Sequence, residues 1–369
     1  MTMHQGRAAI ANGTGDFSIG EITVAMPAAG EVLVEMRAAG ICHTDHASLN
    51  WKRPLVMGHE GAGVVLAVGD GVGHAKPGDS VVLNWAIPCG TCAACRDGRA
   101  VHCEVSRPAC VMERSEGHAH AEGTLWQGNP VDRSFNIGTL STHALVRAAA
   151  VSVLPEGVPF ASACIAGCGV MTGWGSAVNV ARMQAGQCAV VIGCGGVGLN
   201  VIQGARLCGA GMIIAVDTRP GSLENARRFG ATHTLLADPA DRTMESVRNA
   251  VLELTGGRGA DCAFEATSVP HLAFVPLRMI RNGGMALQVS GINEDVAAPG
   301  PWFMWDKSYL TPLYGNCVPA RDFPRLFAHY LKGELLLDEL VTRTYTLDEL
   351  PQAMDAMMTG RNAKGVILF

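Results

Sequence analysis

The run Cys188-Ala189-Val190-Val191-Ile192 leads without a break into Gly193-Cys194-Gly195-Gly196-Val197-Gly198, and no other part of the chain constrains the fold as much. An unbroken apolar segment of this length reads as a strand buried on both faces. The glycines that follow fit G-x-G-x-x-G, and residues 197–207 carry a helical pattern. A second strand-like run, 212–217, ends on Asp217, about 20 residues further on. Strand, glycine turn, helix and acidic strand end together describe a dinucleotide site. The glycines let a pyrophosphate approach N–H groups at the helix N-terminus, and the carboxylate accepts hydrogen bonds from the ribose. A packing turn with no ligand is the competing reading, and the flanking strand and acid weigh against it. Asp217 repels a 2′-phosphate, so NAD is expected over NADP, although Arg219 close behind it pulls the other way. Gly193, Gly195, Gly196, Val197, Gly198 and Asp217 are the expected cofactor contacts.

The alternation continues beyond this junction. Residues 222–229, 240–254 and 271–280 read as helices, and 234–236, 261–265 and 285–289 as strands. Buried strands alternating with amphipathic helices predict a parallel sheet covered on both faces. The first 150 residues are different: 31–38 alternates apolar and polar, and 61–68 and 80–83 are short apolar runs bounded by Gly, Pro and Asp. Such a pattern predicts β-rich structure with glycine turns. Two helical patterns, 321–332 and 347–359, precede a last strand-like run at 365–369.

A chain of 369 residues suggests two domains. Its net charge of −5, with no basic cluster, argues against nucleic acid as a partner. Residues 183–205 carry no charge, but Gly186, Gly193, Gly195, Gly196, Gly198 and Gly204 break the segment, so no membrane span is expected there. Thirteen cysteines behind a start that lacks a signal-peptide core point to the reducing cytoplasm.

Four of those cysteines, Cys89, Cys92, Cys95 and Cys103, stand as C-x2-C-x2-C-x7-C in the Gly-rich lobe 88–104. Four thiolates this close suit a closed tetrahedral metal site, which leaves no position for substrate. An iron–sulfur cluster is the alternative, which the x7 spacing and Glu104 after the last cysteine fit poorly. Catalysis is therefore sought elsewhere. Cys42, His59 and Cys168, each beside glycine, could supply the Cys2His set of an open zinc site. Taken singly, each of the three reads more readily as a core residue.

Together, GICHTDH, GHEGAGVV, the four-cysteine lobe, AGCGVMTGWGSAV, GCGGVG and KGVILF resemble, in order and over the whole chain, the zinc-dependent alcohol dehydrogenases of the medium-chain dehydrogenase/reductase superfamily. The two-zinc branch, liver-type and thiol-dependent formaldehyde dehydrogenases, is nearest in pattern. The resemblance implies an α/β protein with a GroES-like β-rich catalytic domain, residues 1–169 and 314–369, and a Rossmann doubly wound parallel-sheet NAD-binding domain, 170–313. It implies two zinc ions per chain, one held by Cys42, His59 and Cys168 and a structural one in the lobe. Asp45 then orients His59, Glu60 stands beside the metal, and Thr44 takes the alcohol's proton. The relay histidine expected five residues after Cys42 falls on Ala47, so His46 is the nearest substitute. His43 and Lys364 occupy positions that face the cofactor's phosphates, and Thr172, Ser290, Gly291 and Ile292 line the nicotinamide pocket. Trp51, Trp85, Asn136 and Ile137 are expected to line the substrate pocket, and the polar stretch 111–128, with His118 and His120, to form a loop over its entrance. The sequence offers no clear clamp for a thiol-adduct carboxylate, with Arg107 and Arg114 as the candidate cations.

The expected reaction is hydride transfer between a primary alcohol, apolar or aromatic, and NAD. A thiol-dependent formaldehyde dehydrogenase is the alternative, and a non-catalytic zinc-stabilised binding protein is the reading from another class. A homodimer or homotetramer is the expected assembly.

Overall fold

The computed structural model describes residues 3–106 and 123–369. The chain divides into two compact units, Met1–Cys168 with Val318–Phe369, and Gly169–Cys317. The junctions expected at 169/170 and 313/314 fall at 168/169 and 317/318.

In the second unit six strands form one sheet in the order His233–Leu236, Met212–Asp217, Cys188–Ile192, Ala260–Glu265, Ile280–Gln288, Ser308–Leu310, and all five pairings are parallel. The order reverses between Cys188–Ile192 and Ala260–Glu265, the switch point at which doubly wound sheets bind ligands. Val190, Ile192, Ile214, Val216 and Ala263 share one core with Val247 and Val251 of helix Glu245–Leu254. Burial on both faces is why these strands read as continuous apolar runs.

Two helical expectations are shortened. The pattern at 240–254 begins as turns, because the Asp241 carboxylate accepts from Ser246 N (3.0 Å) and Ser246 Oγ (2.9 Å), and the helix starts only at Glu245. At 271–280 there is no α-helix but two 3-10 turns, Pro270–Leu272 and Val275–Arg278. Pro270 and Pro276 lack the amide donors that a continuous helix needs.

The first unit holds two sheets. One runs Asn129–Pro130, Thr124–Trp126, Phe17–Ala25, Met3–Ala11, Leu55–Val56, Asp132–Arg133. The other is built on Glu31–Gly40, which pairs antiparallel with Glu60–Val68, His143–Arg147 and Lys364–Leu368. Its register sets Gly40 opposite Glu60 and opposite Val366. Cys42, His59 and Lys364 thus converge on one end of one sheet, though more than 300 residues separate Lys364 from the other two. No single helix among the described residues is long and apolar enough to cross a membrane, and residues 183–205 contain a strand, a turn and the start of helix Gly196–Leu207.

Candidate active site and metal centres

Cys42 is the N-cap of the short helix His43–Ser48. Asp45, in that helix's first turn and fully buried, accepts the Cys42 amide at 2.9 Å on one oxygen and meets His59 Nδ1 at 2.8 Å on the other. One carboxylate therefore fixes two of the candidate ligands. His59 enters the site from Gly58, whose φ of +91° brings the chain so close to Leu140 N that a Cβ would sit 2.4 Å from it. Cys168 lies between the 3-10 turn Ile165–Gly167 and helix Gly169–Gly175.

The ligand atoms of Cys42, His59, Glu60 and Cys168 lie within 4.8 Å of one another. These residues fit a metal ion: His59 Nε2 is wholly buried and has no hydrogen-bond partner, with two sulfurs beside it. An orphaned buried ring nitrogen is costly unless it is a ligand. Thr44 Oγ1 lies 3.8 Å from Cys42 Sγ, and the His43 and His46 side chains are exposed on the same helix.

Glu60 is fully buried, and its Oε1 accepts from Lys364 Nζ at 2.6 Å. The same ammonium donates to the Ile41 carbonyl at 3.2 Å. The phosphate-facing role implied for Lys364 is therefore corrected: the side chain is buried and held by a carboxylate and a carbonyl. Burial pushes the Glu60 carboxyl up to about 7 against the pull of Lys364. Burial also opposes the charge on Lys364, but Glu60 more than restores it and raises that ammonium above its ordinary range.

The four lobe cysteines form the second cluster, with sulfurs likewise within 4.8 Å of one another. Backbone amides point at the sulfurs: Cys92 N to Cys89 Sγ at 3.3 Å, Cys95 N to Cys92 Sγ at 3.5 Å, Cys89 N to Cys103 Sγ at 3.3 Å. Donors aimed at sulfur stabilise thiolates, the form that binds metal. The Thr91 hydroxyl, with the Thr91 and Cys92 amides, holds the Cys89 thiol down to about 6.

In the second unit Gly193 N donates to Val216 O at 2.8 Å, which ties the glycine turn to the neighbouring strand. Gly198 packs so tightly that a Cβ there would sit 1.8 Å from Gly193 O, whereas a Cβ on Gly195 would meet nothing within 4 Å. That open space at the N-terminus of helix Gly196–Leu207 fits a phosphate group. Asp217 borders it, and its oxygens accept Cys194 N and Arg219 N, each at 2.9 Å. Thr172 lies in helix Gly169–Gly175, where its carbonyl accepts from Ser176 Oγ at 2.7 Å. Ser290 Oγ donates to the fully buried Glu265, which also takes Thr267 Oγ1 at 2.6 Å. Gly291 is exposed and Ile292 half-buried beside it. No motif marked Glu265 in advance.

Trp85 and Ile137 are buried, and Trp51 and Asn136 half-buried. A residue the sequence did not mark joins them. The Phe135 ring lies 4.5 Å from the His59 imidazole, 5.1 Å from Trp85 and 6.0 Å from Trp51, centroid to centroid. Arg107, Arg114, His118 and His120 lie outside the described residues, as does most of stretch 111–128.

A dinucleotide fold and two thiolate-rich metal clusters, one of them with a histidine and an orphaned ring nitrogen, define a zinc- and nucleotide-dependent oxidoreductase. Residues 28–156 match the alcohol dehydrogenase GroES-like domain and residues 196–330 the zinc-binding dehydrogenase domain. The chain is similar to an S-(hydroxymethyl)glutathione dehydrogenase of Paracoccus denitrificans, 31% identical over 98% of this chain and 99% of that one. It is 34% identical to an NDMA-dependent alcohol dehydrogenase of Amycolatopsis methanolica, over 98% of each. Among solved structures, benzyl alcohol dehydrogenase from Acinetobacter calcoaceticus superposes with a TM-score of 0.89 at 28% identity, over 99% of each chain. The chain belongs to the zinc-dependent alcohol dehydrogenase family of the medium-chain dehydrogenase/reductase superfamily. It is an oxidoreductase of alcohols whose cofactors are zinc and NAD.

Proposed function

We propose that the chain oxidises a primary alcohol with an apolar or aromatic body, reversibly with the aldehyde, at the cluster of Cys42, His59 and Cys168. The observation that carries this reading is the buried, unpartnered His59 Nε2 between two cysteine sulfurs, with the Phe135 ring packed on the same imidazole. When bound, zinc supplies Lewis acidity that lowers an alcohol's pKa, and NAD accepts the hydride. Cys42, His59 and Cys168 hold the metal, and Asp45 fixes the tautomer of His59 and anchors its Nδ1 edge. The Thr44 hydroxyl takes the alcohol's proton and passes it on, with His46 or water as the outlet. Trp85 and Trp51 give the site an apolar aromatic wall. The four-cysteine lobe holds a structural zinc. Glycines 193, 195 and 198 and Asp217 bind NAD, while Thr172, Ser290, Gly291 and Ile292 border the nicotinamide.

The exposed edge strand Ser308–Leu310 supports a homodimer through the second unit, since Phe303, Met304, Trp305, Leu310 and Leu313 around it are exposed. The two clusters of thiol ligands, Cys42 with Cys168 and the four lobe cysteines, support a reducing cytoplasm.

A second reading, a thiol-adduct formaldehyde dehydrogenase, has the similarity to S-(hydroxymethyl)glutathione dehydrogenase behind it. A panel of aliphatic and aromatic alcohols with NAD, run with and without a low-molecular-weight thiol, separates the two. The expected result is benzylic and short apolar alcohols turned over without thiol. Activity confined to formaldehyde plus thiol overturns the first reading. Cys42→Ser, His59→Gln and Cys168→Ser are each expected to abolish turnover in a folded chain, and retained activity in any of them overturns the ligand assignment.

A further inference from the structure

Phe135 occupies a position that a bulky residue seldom takes. Its backbone is left-handed, φ 52° and ψ 26°, and Asn136 follows at φ 63°. Left-handed conformations are uncommon outside glycine, asparagine and aspartate, and for a large side chain they are outliers. The turn is closed by the Ser134 carbonyl, which accepts both Ile137 N and Gly138 N at 3.0 Å. Strained backbone of this kind persists only where the surroundings over-determine it, and such positions cluster at functional sites.

What this backbone achieves is the placement of one ring. Phe135 is 6% exposed and lies at an interplanar angle of 30° to the His59 imidazole, 4.5 Å from it. Asp45 holds the same imidazole at its Nδ1 edge. One partner constrains the edge and the other the face, so the ring can neither swing about the Asp45 hydrogen bond nor flip. Phe135 is itself braced by Trp85 at 5.1 Å and Trp51 at 6.0 Å.

We propose that Phe135 is a positioning residue for the metal centre: its ring, carried on a strained turn, locks the plane of His59 so that Nε2 stays directed at the metal held with Cys42 and Cys168. The inference rests on the reading of those three residues as ligands. A phenylalanine that merely filled the core would lose stability on truncation and leave metal retention untouched. Partners that orient a ligand alter metal affinity, by roughly 10–100-fold when removed.

The chain carries its own control, because the four-cysteine cluster is a separate metal site. Zinc release to a competing chelator is measured on the purified holoprotein, with zinc counted per chain and a thermal melt taken on each variant. Phe135→Leu, which keeps apolar volume and discards the aromatic face, is expected to release one zinc about 10–100-fold more readily and to hold the other as the wild type does. Phe135→Tyr, which keeps the ring, is expected to restore retention. Cobalt substitution adds a second readout, since Phe135→Leu is expected to shift the visible bands of one of the two sites. A Phe135→Leu chain that retains both ions like the wild type overturns the inference even if it melts lower. A wild type that binds a single zinc, in the lobe, overturns the ligand reading and this inference with it. If Phe135→Leu does not fold, the same comparison is made with Phe135→Met, where unchanged zinc release again overturns the inference.

Discussion

Lys364 shows how a single residue can be misread from its position. Its place near the end of the chain implied a cation for the cofactor's phosphates, but its ammonium is buried against Glu60 and the Ile41 carbonyl. Removing one partner of a buried ion pair strands the other. Lys364→Met is therefore expected to destabilise the first unit by about 3–5 kcal/mol, and adding Glu60→Gln to recover much of it. Urea denaturation of the two variants measures both steps, and a single variant as stable as the wild type would show that the pair carries no structural weight. Asp217 is a residue whose place at the end of its strand was legible, because strand, glycine turn and acid stand in a fixed order. Asp217→Ser removes the charge that repels a 2′-phosphate, so the ratio of NADP to NAD turnover is expected to rise. An unchanged ratio counts against its contact with the ribose. Phe135 was not legible: nothing in the local sequence signals that a phenylalanine will take a left-handed backbone, and its partners lie 50 or more residues upstream.

Among the elements, the buried parallel strands were the easiest to read, since burial on both faces leaves an apolar run with no periodicity to confuse. The helices were harder. A helical pattern at 240–254 does not reveal that Asp241 will cap at Ser246, nor one at 271–280 that Pro270 and Pro276 will limit it to 3-10 turns. The strands are joined at their starts by Asp261. It accepts Cys188 N at 2.8 Å, both terminal nitrogens of Arg258 at 3.0 and 3.1 Å, and Arg281 Nε at 2.7 Å. Burial works against its charge, yet these partners hold the Asp261 carboxyl well below the usual range. A depressed carboxylate stabilises the fold fully above its unfolded value, near pH 4, and that contribution fades as pH falls toward the folded value. Asp261→Asn is expected to cost roughly 1.5–3 kcal/mol at neutral pH, with the gap to the wild type closing in acid. Thermal melts across pH 2 to 7 check this, and a gap that does not shrink in acid rules out the ion pairs as its cause.

For the molecule as a whole, the order of motifs along the chain was enough to expect two units and two metal clusters, the lobe because its four cysteines are local and the other through the family resemblance of the whole set of motifs. Which parts meet across long separations was not, as the pairing of Lys364–Leu368 with Glu31–Gly40 shows. The exposed edge at Ser308–Leu310 belongs to this scale too. Trp305→Lys combined with Leu310→Lys is expected to reduce the sedimenting mass to one chain while each unit stays folded. An assembly unaffected by both charges places the interface elsewhere.

The two metal clusters also differ in when they can exist. The lobe closes across 14 residues, from Cys89 to Cys103, so it is complete soon after that stretch leaves the ribosome. The Glu60 carboxylate, by contrast, waits for a lysine made 304 residues later. Until the strand that carries this lysine is made, the second cluster lacks part of the sheet that gathers it, whereas the four lobe cysteines already stand together on the nascent chain.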